Sequence, residues 1–440
     1  MCKHQLRGYV TSRNLSLTIN QDECPEGTFD EGETHMKKTR LVRAAALAVS
    51  LAFVAAACGD DSDSGSTEDT TAAAEETTTG DTTAPAEGGE AAGGATCAEG
   101  TSIAFFGALS GDAGNLGQNI KKGAELAVAQ FNAANAGCQV TLKEFDSQGS
   151  PDQAPALATE AIADAAILGI VGPAFSGESK AVNPLFDEAG LSIITPSATN
   201  EALNDNGWKI FHRALAGDDK QGPGIVTYIQ NKLAAETVGV IDDASEYGKG
   251  IADIVREGLG DKVVASDSID PAAADFSAAV SKMKDAAPAA IFYGGYYAEA
   301  GKLAKQLRDA GVESTLVFGD GVKDIGYIEA AGPAAEGSII TCTCADGGSN
   351  ADFAAAYGEQ FPGETPQTYA AEAYDAANAF LAAIASGAAD RAAVLEFLKS
   401  YDAAGVTKQI KWDETGEVAG NAVYSYKVEG GAIVVEGLIE

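Results

Sequence analysis

The stretch SIAFFGALSGDAGNLGQNIKKGAELAVAQFNAA (Ser102–Ala134) decides the fold class of this chain. Its apolar start predicts a buried β-strand over Ser102–Ala108. After a loop of small residues, apolar residues recur at helical spacing and predict a helix over Gln118–Ala134. The apolar stripe of this helix consists of Ile120, Ala124, Ala127, Val128 and Phe131. A buried strand that leads into an amphipathic helix is the repeating unit of parallel α/β sheets.

The same strand-then-helix order repeats along the chain. Further strands are predicted at 140–145, 167–171, 191–194, 237–241, 263–266, 289–292, 315–318 and 338–341. Further helices are predicted at 152–165, 177–189, 221–233, 247–259, 276–286, 298–310, 352–360, 367–386 and 391–400. The C-terminal segments 409–412, 422–427 and 433–437 are predicted as β. Two successive series of similar size predict an α/β protein with two Rossmann-like lobes, each with a parallel sheet.

The N-terminal region contains a pattern typical of an export signal. Four basic residues after Met36 precede the uncharged, alanine-rich stretch Ala44–Ala57, which is too short to span a bilayer stably. Small residues followed directly by Cys58 resemble a bacterial lipobox, although Ala55 stands where leucine is usual. We expect lipid on Cys58; the alternative is an ordinary signal peptide with an incidental cysteine.

The position of this signal divides the first 97 residues into three segments. Residues 36–57 are expected to be the signal peptide, and translation is expected to begin at Met36, so that 1–35 is a doubtful N-terminal extension. The lipidated cysteine begins a tether over 58–97, whose composition is too polar to order itself. The protein is therefore expected outside the cytoplasm, anchored by lipid to the outer face of the cytoplasmic membrane.

Charge and motifs exclude several classes of function. The formal net charge is −35, which disfavours nucleic acid and anionic lipid surfaces as partners. After Met36 the only histidine is His212, and the chain has no GxSxG, HExxH, P-loop or GxGxxG motif. The abundant acids leave a carboxylate pair of the glycosidase type open, but nothing positive supports catalysis. We expect neither an enzyme nor a metal or other cofactor.

The cysteines after Cys58 form two pairs. Cys97 and Cys138 each stand just before one of the first two predicted strands, and neighbouring parallel strands start side by side, so a Cys97–Cys138 disulfide is expected. Cys342 and Cys344 are two residues apart, where a disulfide is tight, and their state is left open.

Loops that follow the predicted strands are where a ligand is expected, because α/β sheets bind ligands outside the carboxyl ends of their strands. In the first series these loops are rich in Gly, Ser and Thr and lead into helices: 107–117, 172–179 and 194–200. Backbone N–H groups and hydroxyls at helix N-termini suit a carboxylate. For any single loop, helix capping is the simpler interpretation, but three such loops together favour an anion site.

In the second series the loops are 244–250, 292–299 and 318–322, and they carry different chemistry. Tyr247, Tyr296 and Tyr297 offer rings that suit a small apolar side chain, and Asp320 lies between two glycines, where it suits an ammonium. The alternative is that these tyrosines belong to the core and that Asp320 is a turn residue.

The order of these loops resembles that of the leucine/isoleucine/valine-binding proteins of ABC transporters, which have the type I periplasmic binding protein fold. The resemblance covers nearly all of 99–440. Eight stretches carry it in order: GALSG (107–111), GPAFSG (172–177), ITPSAT (194–199), DDKQGP (218–223), EYGKG (246–250), YGGYYAE (293–299), FGDGV (318–322) and KWDETGE (411–417).

This resemblance implies roles for individual residues. The hydroxyls of Ser176 and Thr199 would hold a ligand α-carboxylate, and the Ser197 carbonyl, Thr199 and Asp320 would hold the α-ammonium. From the second lobe, Tyr247 and Tyr296 would close over the ligand.

Two departures from the family pattern concern the ligand. Leu116 replaces a tyrosine and makes the side-chain pocket more apolar, and Phe175 is expected to fill the vacated space. Asp320 stands where the family usually has glutamate, and is one methylene shorter.

The implied architecture has lobe 1 at 98–216 plus 344–404 and lobe 2 at 217–343 plus 405–440, with crossovers near Ala216, Cys342 and Ala404. The implied function is capture of a small amino acid by a monomer, for delivery to ABC permease subunits in the membrane. Two alternatives remain open: the same fold binding an amide, urea or an aromatic acid, or a ligand-sensing module without transport.

Overall fold

The computed structural model describes residues 94–420 and 422–440, which belong to one compact unit. The expected signal peptide, Cys58 and most of the tether lie outside the described residues. None of the helices in the described ranges combines the length and apolar character needed to cross a bilayer.

Strands and helices alternate as the sequence predicts. The strands are β1 (Ser102–Gly107), β2 (Thr141–Asp146), β3 (Ile167–Val171), β4 (Ile193–Thr195), β5 (Phe211–Arg213), β6 (Val238–Asp242), β7 (Val263–Ser268), β8 (Ala290–Gly294), β9 (Thr315–Phe318), β10 (Ile339–Cys342), β11 (Asp402–Ala404), β12 (Gln409–Lys411), β13 (Tyr424–Glu429) and β14 (Ala432–Leu438). The α-helices are α1 (Gly114–Ala134), α2 (Ala154–Ala163), α3 (Ser176–Glu188), α4 (Asp218–Thr227), α5 (Glu246–Leu259), α6 (Ser277–Ala286), α7 (Tyr297–Asp309), α8 (Ile325–Ala331), α9 (Ala351–Gln360), α10 (Ala370–Ala385) and α11 (Arg391–Leu398).

Two sheets organise these elements and confirm the predicted α/β fold. The first has the order β2-β1-β3-β4-β5, and all of its pairs are parallel. The second has the order β14-β13-β10-β9-β8-β6-β7, in which β6 to β10 pair in parallel and β13 and β14 add an antiparallel edge. The small ladder of β11 and β12 stands apart.

Several boundaries differ from the predicted ones for local reasons. The helix expected at 221–233 begins at Asp218, whose acidic first turn suits a helix N-terminus, and ends in a π-helical turn, Tyr228–Lys232. Helix α8 is absent from the predicted series, although Asp324 caps it by accepting a hydrogen bond from Gly326 N. Seven residues give too short a periodic pattern to identify.

The chain returns to the first sheet after β10. Helix α10 packs along α1 so closely that a Cβ on Gly123 would lie 2.0 Å from Ala370 O. The indole Nε1 of Trp412 donates to Arg213 O at 2.8 Å, so the segment after Ala404 still lies against β5. The lobe boundaries stay a proposal; this contact favours a third crossover between Val418 and β13, later than Ala404.

Four cysteines in the described part of the chain are joined in two disulfide bonds. Cys97 and Cys138 are linked with their Cα atoms 4.8 Å apart, which ties the approach to β1 to the approach to β2. Cys342 and Cys344 are also linked, and both are fully buried where the chain leaves β10.

Candidate functional site

A cavity lies where the loops after the strands of both sheets meet. The space open to a water molecule inside it is only about 10 Å³, so the lining side chains nearly fill it. Seven of the site residues expected from the sequence line it: Leu116, Phe175, Ser176, Ser197, Tyr247, Tyr296 and Asp320. Ala174, Gly321 and Tyr369 complete the wall.

The first-lobe side of the cavity is built from the start of α3 and the loop after β4. Ser176 is the first residue of α3, so the first-turn N–H groups of a thirteen-residue helix lie beside the cavity without partners inside that helix. The Ser176 hydroxyl accepts from Asn200 N at 3.2 Å, and the Ser197 hydroxyl donates to Ala174 O at 2.6 Å. These bonds fix two loops against each other, with helix-end donors at their junction.

Thr199 lies behind this wall. It is fully buried, and its hydroxyl lies beside the carboxylate of Asp218. A hydroxyl that donates to this carboxylate favours its charged form, so Thr199 partly opposes the rise in the Asp218 pKa that burial causes.

Glu178 lies in the first turn of α3 and forms hydrogen bonds with two neighbouring loop residues. It is fully buried, accepts from Phe175 N at 3.1 Å and pairs with the Ser147 hydroxyl. Burial raises the pKa of Glu178 to about 8, against the lowering effect of these hydrogen bonds. Its carboxyl group is therefore largely protonated near neutral pH and brings little negative charge to the carboxylate side of the cavity.

Asp320 is the acid of the second-lobe side. It is 1% exposed and accepts hydrogen bonds from Tyr247 Oη at 2.6 Å and Tyr369 Oη at 2.7 Å. Burial raises the pKa of Asp320, and the two tyrosine hydroxyls partly oppose this by stabilising the carboxylate.

A second buried acid stands close by. Asp218, the first residue of α4, is fully buried, with the Thr199 hydroxyl beside its carboxylate. Its pKa is raised well above the ordinary value, mainly by burial and then by the neighbouring Asp320. Thr199 and Arg213 partly oppose this rise. A ligand cation beside Asp320 would further lower the cost of ionising both acids.

Aromatic and aliphatic side chains form the remaining wall. The rings of Phe175 and Tyr296 meet edge to face with centroids 5.3 Å apart, and those of Tyr247 and Tyr296 lie 5.4 Å apart. Leu116 is almost fully buried at the same cavity. Since Phe175 and Tyr296 come from different lobes, this apolar wall is complete only when the lobes meet.

Polar contacts outside the cavity hold the lobes together. Asn115 Nδ2 donates to Asp324 Oδ1 at 2.9 Å, and Asn200 Nδ2 donates to Glu246 O at 2.7 Å. Lys180 pairs with the Glu246 carboxylate at 2.8 Å. The structure is therefore a closed form, in which groups from both lobes surround the cavity.

Two residues of the site were missed by the sequence reasoning. Tyr369 was assigned to the interior of a helix, but α10 begins one residue later and Tyr369 adopts φ 69°, a left-handed conformation. Asp218 lies in the matching stretch DDKQGP without an assigned role. An acid in the first turn of a helix was the available signal for Asp218; for Tyr369 the sequence carries none that we can identify.

Comparison with known proteins decides the family. A periplasmic binding protein family matches residues 100–432 of the chain. The chain belongs to this family. Members of the family are extracytoplasmic solute-binding proteins rather than enzymes.

Individual relatives of this periplasmic binding protein agree with that assignment. It is 30% identical to the Leu/Ile/Val/Thr-binding protein of Salmonella typhimurium over 340 residues, which cover 73% of this chain and 90% of the relative. A leucine-binding protein from Thermotoga maritima has a similar structure, with 26% identity, a TM-score of 0.72 and coverage of 77% of this chain and 99% of that one. A branched-chain amino acid transporter substrate-binding protein from Streptococcus pneumoniae, in complex with isoleucine, has 30% identity, a TM-score of 0.70 and coverage of 76% and 99%.

Proposed function

We propose that this periplasmic binding protein captures a branched-chain amino acid between its lobes and delivers it to an ABC permease. The observation that carries the proposal is the polarity of the cavity, whose wall combines a buried acid held by two tyrosines, apolar side chains, and a helix N-terminus with serine hydroxyls. A zwitterion with an aliphatic side chain matches all three parts. The relatives whose names specify leucine, isoleucine and valine support the same ligand class.

The geometry suggests one orientation for the ligand. Its ammonium would lie at Asp320, with the Ser197 carbonyl and Thr199 nearby and with Asp218 adding negative charge. Its carboxylate would lie at the N-terminus of α3, beside Ser176. The side chain would contact Leu116, Phe175 and the two cavity tyrosines Tyr247 and Tyr296.

Substitution of Asp320 tests this proposal. Asp320→Asn removes the negative charge but keeps the shape, so calorimetry is expected to show about a 100-fold loss of leucine affinity, the scale of a buried charged partner. Affinity for 4-methylpentanamide, which has no ammonium, should change little. As a control, Asp375→Asn alters another buried acid, one that accepts from Val406 N, and should leave leucine binding intact. An Asp320→Asn protein that binds leucine like the wild type would contradict the proposal.

We also propose that lipid on Cys58 and the tether over 58–97 hold this monomeric capture unit near the permease. Cys58→Ser should then move the protein from the membrane fraction to the soluble fraction of cells, and retention in the membrane would refute lipid anchoring.

Deletion of the protein should reduce leucine uptake if it serves transport. Unchanged uptake with an altered response to leucine would favour a sensing module.

A further inference from the structure

The stretch Lys411–Glu417 resembles the family but contributes nothing to the cavity wall. It folds as a tight turn against the end of β5. Asp413 Oδ1 accepts from Thr415 N at 2.8 Å and from Glu417 N at 3.1 Å, and Gly416 O accepts from Arg213 N at 2.9 Å. The turn is therefore fastened to Arg213 through the backbone.

Gly416 allows this close approach. Its φ is 82°, and a Cβ at this position would lie 2.0 Å from Phe211 O. A side chain there would push the turn away from β5. The glycine thus fixes where the next residue, Glu417, places its carboxylate.

The Glu417 carboxylate holds the guanidinium of Arg213. Arg213 has no exposed surface, and its ion pair with Glu417 is partly screened from solvent. The same guanidinium donates through Nη1 to Ala198 O at 3.3 Å and to Asn200 O at 2.9 Å. These two carbonyls flank Thr199.

This contact orients the loop at Thr199. A trans peptide group is planar, so the N–H of a residue points opposite to the carbonyl of the preceding residue. Because Ala198 O is turned toward Arg213, the N–H of Thr199 is directed away from the guanidinium. The loop is held further by the bond from Asp218 N to Thr199 O at 2.8 Å.

We propose that Arg213, locked by Glu417, is a positioning residue for ligand recognition: it turns two carbonyls of the loop after β4 away from the ligand carboxylate and so presents the N–H of Thr199 to it. This rests on the proposed function. The stretch Lys411–Glu417 then acts on the ligand through Arg213, without touching the ligand.

Arg391 provides a matched control for a purely structural role. Its guanidinium also binds backbone carbonyls, donating to Ile167 O at 3.1 Å, Ile162 O at 3.0 Å and Asp164 O at 2.9 Å. These carbonyls lie at the end of α2 and the start of β3, whereas the cavity is at the opposite ends of the strands.

The test is the ratio of affinities for leucine and leucinamide, measured by calorimetry. Leucinamide keeps the ammonium and side chain but lacks the carboxylate, so the ratio reports carboxylate recognition. Glu417→Gln and Arg213→Lys are expected to lower the ratio about tenfold, the scale of one charge-assisted hydrogen bond, with Glu417→Gln being the variant that disturbs folding less. Arg391→Lys is expected to lower thermal stability while keeping the ratio.

Two results would overturn the inference. One is an unchanged ratio in a folded Glu417→Gln or Arg213→Lys protein; the other is an equal loss in Arg391→Lys. A wild-type protein that binds no branched-chain amino acid would instead refute the proposed function, and the inference would fall with it.

Discussion

At the scale of single residues, the hydroxyl of Tyr369 has a separable role beside Asp320. It donates one of the two hydrogen bonds that stabilise the Asp320 carboxylate, so Tyr369→Phe should raise the pKa of Asp320 further. Because an ammonium requires the charged carboxylate, leucine affinity should fall about tenfold near neutral pH and recover as the pH rises. Calorimetry over a pH series measures both effects.

The control for this change is Tyr357→Phe. The Tyr357 hydroxyl is buried without a hydrogen-bond partner among the described residues, and it is not part of the cavity wall. Its removal should leave both affinity and pH profile unchanged. Equal behaviour of the two variants would refute a specific role for Tyr369.

His212 should make stability depend on pH. Burial lowers its pKa to about 4 from 6.5, although Ile193 O and Ile210 O favour the protonated ring. Between about pH 6.5 and pH 4 the His212 ring is therefore protonated in the unfolded chain but neutral in the folded chain. Protonation thus favours the unfolded chain, and the free energy of unfolding falls as the pH drops through this range. The loss amounts to about 3 kcal/mol.

Urea unfolding of the wild type and of His212→Gln over pH 4 to 7 checks this expectation. The variant has no titrating ring, so its unfolding free energy should fall less steeply in this range. Identical slopes for the two proteins would contradict the assignment.

Site residues differ in how far the sequence could place them. The loops after parallel strands must meet at one edge of the sheet, and for this reason Ser176, Tyr296 and Asp320 were predicted to lie together. Tyr369 reaches the cavity only through a left-handed backbone conformation and the packing of α10, neither of which has a local sequence pattern.

At the scale of elements, the contact between α1 and α10 depends on the absence of a side chain at Gly123. A Cβ there would lie 2.0 Å from the backbone oxygen of Ala370, so the helices would have to separate. We expect Gly123→Ala to lower the free energy of unfolding by about 1–3 kcal/mol through overpacking.

Gly358, in the last turn of α9, is the matched control. The nearest atom to a Cβ at this position is Glu364 O at 3.8 Å, an ordinary contact. Gly358→Ala should therefore raise the free energy of unfolding by up to about 1 kcal/mol, because alanine favours the helix. Denaturant unfolding of both variants measures these changes. An unchanged free energy of unfolding in Gly123→Ala would show that the helices can separate without cost.

Hydrophobic periodicity predicted which segments are strands and which are helices, but not which strands form the edge of a sheet. The alternation of short apolar runs with amphipathic stretches predicted the parallel strands, since each apolar run is long enough to form one strand. The pairing of β13 and β14 on the outside of β10 is a long-range choice. It depends on which sheet the returning chain reaches, and the local pattern of β14 does not reveal this.

At the scale of the whole molecule, the ligand and the contacts between the lobes should stabilise the same closed form. Bound leucine at 100 times its dissociation constant should raise the free energy of unfolding by about 2.7 kcal/mol. Small-angle scattering should also show a more compact particle with leucine than without it, because the apolar wall is shared between the lobes. At the same leucine concentration Asp320→Asn, with an about 100-fold higher dissociation constant, should gain only about 0.4 kcal/mol and be about half closed. Ligand-independent compactness would argue against closure on binding.

The orientation of the ligand is the central claim, and a crystal structure with bound leucine tests it most directly. The account places leucine in the cavity between the sheets, with its ammonium within hydrogen-bond distance of Asp320 and its carboxylate at the N-terminus of α3 beside Ser176. Leucine bound in the reverse orientation, or outside this cavity, would contradict it.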